Sequence, residues 1–165
     1  MSTARGGRSG GVRRLQVEVV AGRTTLRTPG LAAWLEAVAP ASARGMVTIA
    51  LAGDARVRAL NRQFLGKDRA TDVLSFPAGT DAPFAGEAGP RPLGELIIAA
   101  GVARRQAAAA RHGVQTEVRV LALHGLLHLL GYDHETDGGE MARLEARLRR
   151  KAGLREGLIE RGHRA

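Results

Sequence analysis

Thirteen consecutive residues, Val118 to Leu130 (VRVLALHGLLHLL), are apolar apart from Arg119, His124 and His128. A helix without a polar stripe cannot lie on a surface, so other parts of the chain must surround it on most sides. The run therefore predicts a buried helix, ended by Gly131 as a left-handed C-cap, with the remaining elements built around it. A chain of 165 residues supplies one core with little to spare. Aromatic residues make up only 3%, so that core must be built from Ala, Leu and Val.

Periodicity gives the other elements. Leu15 to Val20 and Met46 to Leu51 alternate as strands, and Leu31 to Val38 reads as a short helix stopped by Pro40. Asp54 is a candidate N-cap for a helix through Val57, Leu60, Asn61 and Phe64 that ends at Gly66. The polar turn GKDRATD leads into Val73 to Phe76, and four prolines make Ala78 to Arg91 a long loop. Leu93 to Ala99 is a strand, Val102 to Arg111 an Ala-rich helix, and Glu140 to Lys151 an amphipathic helix with Arg143, Arg147 and Arg150 on its wet side. Strands mixed with helices, without an internal repeat, indicate a single small α+β domain with one sheet.

Residues 1–14 carry four arginines among Gly and Ser and no acid, the composition of a disordered basic tail. The domain is expected over residues 15–152, with 153–165 as a C-terminal extension. No stretch reaches the roughly 20 apolar residues of a membrane span, and the N-terminus lacks a signal peptide's apolar core, so a cytoplasmic protein without membrane contact is expected. Net charge is +9, from 25 Lys and Arg against 16 Asp and Glu, which favours a polyanionic partner such as nucleic acid. A GC-rich genome would give the same bias, since Lys67 and Lys151 are the only lysines. With no cysteine there is no disulfide, no thiol nucleophile and no thiolate metal site, so any metal must sit on His, Asp or Glu.

His124 and His128, four apart, project from one helical face one turn apart. A turn at Gly131 can bring His134 over the same face, giving H-x3-H-x5-H and three neutral nitrogen donors. A lone buried histidine is usually just hydrogen-bonded in a core. Two on an apolar helix, with a third within reach, point instead to a metal. Three ligands leave the fourth tetrahedral position open, as catalytic zinc requires, and zinc is the default for this donor set although nickel and cobalt also accept imidazole. The spacing is metzincin-like, but those zinc proteases carry a general-base Glu directly after the first His, where this chain has Gly125. Gly125 costs a helix interior about 1 kcal/mol, and space for a bulky substrate would be one reason for it.

Asp133, Glu135, Asp137 and Glu140 are near enough in sequence to orient the imidazoles, with Asp133 the best placed, although most of them should be solvated charges. The turn through Lys67, Asp68, Arg69, Thr71 and Asp72 can hold phosphate or can be merely a turn.

The segments HGLLHLLGYDH (124–134), LNRQFLGKDRATDVLSFP (60–77) and LGELII (93–98) resemble those of the YbeY endoribonucleases, bacterial rRNA maturation factors, and Trp34, Met141 and Glu145 sit in similar surroundings. The likeness runs from about Leu31 to Lys151. It implies an α+β fold with one mixed four-stranded sheet and about five helices, with one Zn2+ on His124, His128 and His134. It further implies a single-strand-specific endoribonuclease of 16S rRNA 3′-end maturation and ribosome quality control. The expected partners are single-stranded RNA, rRNA and the small ribosomal subunit, with a ribosomal protein or assembly GTPase. Members commonly carry Arg before Gly-Lys-Asp, where this chain has Leu65, and Gly-Asp where it has Gly94-Glu95. Arg62 or Arg69 would then take over phosphate binding, Lys67 and Arg69 are the candidates for transition-state stabilisation, and Asp133 is a further catalytic candidate. The rival readings are a non-catalytic ribosome assembly factor with a structural zinc, and a zinc-dependent protease or amidohydrolase.

Overall fold

The structure, a computed structural model, describes residues 14–79 and 90–154. Nearly all of the expected basic tail, most of the C-terminal extension and the middle of the long loop lie outside the described residues. Strand β1 (Leu15–Ala21) leads through helix α1 (Leu31–Val38) to strand β2 (Gly45–Ala52), which pairs with it in parallel from Leu15↔Gly45 to Ala21↔Leu51. Helix α2 (Asp54–Leu65) and strand β3 (Val73–Pro77) follow, then strand β4 (Pro92–Ala99). β4 lies parallel to β2 and takes β3 on its other side antiparallel, from Val73↔Ile98 to Pro77↔Gly94. The result is one mixed four-stranded sheet, β1-β2-β4-β3, with β3 at an edge. Helices α3 (Ala100–Ala110), α4 (Val114–Leu129) and α5 (Glu140–Lys151) complete the domain.

Alternation along the strands assigns the two faces of the sheet. Val47, Ile49, Leu96 and Ile98 are fully buried with Leu35, Leu123, Leu126, Leu127 and Met141, so α1, α4 and α5 share one core on one face. α4 packs against α1, α3, α5, β3 and β4, which is why its sequence needs no polar stripe. Each buried leucine there contributes about 1.5–3 kcal/mol. A smaller cluster on the other face joins Val57 and Leu60 of α2 to Leu74, Ala99, Phe76 and Ile97.

One cap differs from expectation. Asp54 does not cap its own helix, whose N-cap is Gly53. Its carboxylate instead accepts the Val102 N–H at 3.1 Å and meets the Arg105 guanidinium at 2.9 Å, so it caps the neighbouring α3. α3 begins at Ala100 rather than Val102, and α4 begins at Val114, ahead of its apolar run, because its first turn holds Gln115, Thr116 and Glu117. Glu117 in the first turn of α4 sits at the positive end of the helix dipole and meets His112 at 2.5 Å.

Candidate metal centre

The centre is assembled from one helix, the turn that ends it and one residue of the next helix. Four-residue spacing on α4 sets the His124 and His128 rings 4.7 Å apart. Beyond Leu129 the backbone forms a Schellman turn. Gly131, at φ 95°, donates its N–H to the His128 carbonyl at 3.0 Å, and Tyr132 donates to the Leu127 carbonyl at 3.1 Å. This reversal delivers His134, with its ring 5.9 Å from that of His124 and 5.4 Å from that of His128. One nitrogen from each of the three lies within 4.8 Å of the others.

The partners of the outer nitrogens decide which nitrogens remain free. His128 Nδ1 lies 3.1 Å from the Tyr132 carbonyl oxygen, which can only accept, so Nδ1 carries the proton. His124 Nδ1 lies 3.1 Å from Glu145 Oε2. Burial by itself raises the Glu145 carboxyl, but hydrogen bonding and charge from His124 and Arg149 outweigh it and hold it below the ordinary range. It is therefore a carboxylate, and His124 donates to it. Both Nε2 atoms are left with lone pairs, and these face each other at 3.1 Å. Two lone pairs so placed repel unless a cation lies between them. Two imidazole nitrogens on one tetrahedral zinc would stand about 3.3 Å apart, so the residues present fit such an ion. Burial, followed by the charges of His124 and His134, lowers the pKa of His128 and keeps its ring a neutral ligand.

Glu145 is held in turn by Arg149, its i+4 neighbour on α5. Both side chains are only 3% exposed. In the sequence Glu145 stands out only by resemblance, and Arg149 not at all. The signal was present, because Met141, Leu144, Glu145, Leu148 and Arg149 form the buried stripe of an otherwise charged helix.

Asp133 is exposed. Its carboxylate accepts the Glu135 N–H at 3.0 Å and the Thr136 hydroxyl at 3.3 Å, and the first of these chiefly holds its pKa below the ordinary range. The acceptors that meet His124 and His128 are Glu145 and the Tyr132 carbonyl. Asp137 opens α5 by accepting the Gly139 and Met141 N–H groups at 2.9 and 2.8 Å, while Glu135 and Glu140 are exposed. Gly125 does not leave space for a substrate. A Cβ there would come within 2.8 Å of Leu96 Cδ2 and 3.3 Å of Ser75 Oγ, so the glycine lets α4 press onto the sheet. Lys67 and Arg69 are exposed on the turn after α2, where Asp68 pairs with Arg58 at 2.9 Å and Asp72 accepts the Val73 N–H at 2.7 Å. Arg69 lines a cleft with Asp54, Arg58 and Asp68 in which no histidine takes part. Leu65 is 56% exposed. Gly94 has φ 146°, and a Cβ there would fall 2.3 Å from the Phe76 carbonyl, so the close approach of the end of β3 to β4 requires it.

Comparisons with known proteins give the family. A family model described as endoribonuclease YbeY matches residues 26–153. An endoribonuclease YbeY from Solibacter usitatus is 54% identical over 111 residues, 67% of this chain and 69% of the relative. One from Anaeromyxobacter sp. is 47% identical over 146 residues, covering 86% and 72% of the two chains. A solution structure of a Thermotoga maritima protein superposes with a TM-score of 0.55 at 25% identity, covering 84% of this chain and 88% of that one. With its family signature spanning most of its length, its mixed sheet and its three converging histidines, the chain belongs to the endoribonuclease YbeY family.

Proposed function

We propose that this protein is a zinc-dependent endoribonuclease that cuts single-stranded RNA in the cytoplasm, acting in 16S rRNA 3′-end maturation and ribosome quality control. Its partners would be rRNA, the small ribosomal subunit, and a ribosomal protein or assembly GTPase. Metal dependence rests on one observation above the rest, the two Nε2 lone pairs directed at each other across 3.1 Å with His134 beside them. The ribonuclease assignment rests on the descriptions of the family and its relatives. Three histidine ligands suit zinc, which when bound supplies Lewis-acid charge and a water acidified to a pKa of about 7.

The chain's own residues set the conditions for that chemistry. Glu145 and the Tyr132 carbonyl fix the tautomers and orientations of His124 and His128. Asp133, held ionised by its turn, is a weak proton acceptor and acts through its charge on His134 and His128. Lys67 and Arg69, exposed on the turn after α2 and outside the histidine cluster, would hold phosphates of the bound RNA.

The test is cleavage of a labelled single-stranded RNA by purified protein, after chelation and after stoichiometric zinc is restored, with His124→Ala as the contamination control. Activity should vanish, return with zinc and be absent from the variant. Equal cleavage by the variant would assign the activity to a contaminant and leave an assembly factor with structural zinc as the better account.

A further inference from the structure

The sheet face opposite α4 is only partly covered. α2 packs Val57 and Leu60 over Leu74 and Ala99, and beside it lies a groove of about 760 Å3 lined by Arg23, Arg56, Phe64, Phe76, Glu95 and Ile97, among others. Phe64 is 58% exposed, its ring meeting that of Phe76 edge to face with centroids 5.3 Å apart. Leaving an aromatic ring in water forgoes roughly 1.5–3 kcal/mol of burial, and the solvated face of a half-covered sheet is ordinarily polar. Arg23 and Arg56 are exposed, and their guanidinium groups make no hydrogen bond or ion pair among the described residues.

Aromatic rings interleaved with unpaired guanidinium groups are what a flexible polyanion with flat bases needs. Bases stack on rings whatever their sequence, and the cations take the phosphates between them. Open four-stranded sheets that carry exposed aromatics bind single-stranded RNA in this way. An apolar peptide would bury the rings but leave both guanidinium groups uncompensated, so charge favours RNA. Glu95 of β4, paired with Phe76 of β3 and lining the same groove, can accept from an exocyclic amine. β3 connects the groove to the metal centre. The Ser75 hydroxyl donates to the Gly125 carbonyl of α4 at 3.3 Å, while the next residue, Phe76, lines the groove on the other face.

We propose that this open face is a stacking platform for single-stranded RNA, in which Phe64 and Phe76 stack bases and Arg23 and Arg56 hold the adjoining phosphates. The inference rests on the ribonuclease reading and supplies it with a substrate-holding surface outside the metal centre. Its test is the fluorescence anisotropy of a labelled single-stranded RNA decamer, and of the same decamer in duplex, titrated with the full chain, with RNA integrity checked on a gel. Phe64→Ala, at an exposed position, should melt as the parent does, weaken single-strand binding about 5- to 100-fold and barely change duplex binding. Phe64→Trp should restore affinity, which a merely structural role for Phe64 would not explain. Arg56→Gln should lower the slope of log affinity against log salt by about one, whereas Phe64→Ala leaves it unchanged. Full affinity in both Phe64→Ala and Arg56→Gln, in a parent that binds and cleaves RNA, overturns the platform alone and leaves the groove to an apolar peptide. A parent that binds no RNA overturns the ribonuclease reading as well.

Discussion

Replacing Glu145 by Gln keeps the shape of the side chain and removes its charge. In the parent, one carboxylate oxygen accepts from His124 Nδ1 at 3.1 Å and the other faces Arg149. A glutamine offers only one oxygen, so its NH2 must confront either the imidazole N–H or the guanidinium, donor against donor. Two losses follow, and they are separable. His124 loses the acceptor that fixes its tautomer, which for such partners costs 10–100-fold in metal affinity, about 1.4–2.7 kcal/mol. Arg149, 3% exposed, loses its counter-charge, and breaking a buried pair costs about 3–5 kcal/mol. For a chain of this size that lowers the melting temperature by roughly 6–20 °C.

The double variant Glu145→Gln, Arg149→Met separates the two effects. Removing both charges is close to neutral for stability, so most of the melting temperature should return while zinc affinity, measured against a competing chelator, stays 10–100-fold weaker. A double variant that binds zinc as tightly as the parent would refute the argument that Glu145 orients His124. Equal melting temperatures for the single variant and the parent would refute the buried pair.

Gly125→Ala places a methyl 2.8 Å from Leu96 Cδ2 and should destabilise the fold by about 1–3 kcal/mol despite alanine's better helix propensity, as chemical denaturation would read. An unchanged midpoint would restore the idea of open space beside that glycine. Asp54→Ala removes the acceptor at the start of α3 and should cost about 0.5–2 kcal/mol, with faster amide exchange at Val102 as the local sign. The folded-state pKa of His128 is lowered, so the unfolded chain binds the extra proton. Stability of the chelated protein should accordingly fall as pH drops from about 6.5 toward the folded value. That fall should be smaller in His128→Gln, and identical profiles would contradict the assignment.

Where the sequence carried a strict period, the structure follows it closely. Leu31–Val38 and Glu140–Lys151 are helices over the same residues as their apolar patterns, and the 124/128/134 spacing closes into one cluster. Contacts between elements distant in the chain left weaker traces. Asp54 looks like a cap and is one, but for a helix 48 residues away. Gly125 reads as a gap beside the metal because nothing local tells which side of α4 faces Leu96. Nearness to His134 singles out Asp133 in the sequence, whereas the carboxylate that meets an imidazole comes from Glu145, on a helix whose charged character conceals it. A tally of charge does not distinguish a buried Glu–Arg pair from solvated ones; the helical stripe on which the pair falls does.

The three histidines lie within eleven consecutive residues, whereas β2 and β4, at the middle of the sheet, are joined only after α2 and β3 have intervened. Closing a short loop is entropically far cheaper than pairing distant strands. A metal ion can therefore grip the end of α4 while the sheet is still unformed, fixing the turn at Gly131 before Glu145 arrives to lock His124. Refolding with zinc present should be faster than refolding of the chelated chain, with the gain appearing in the folding limb of the chevron.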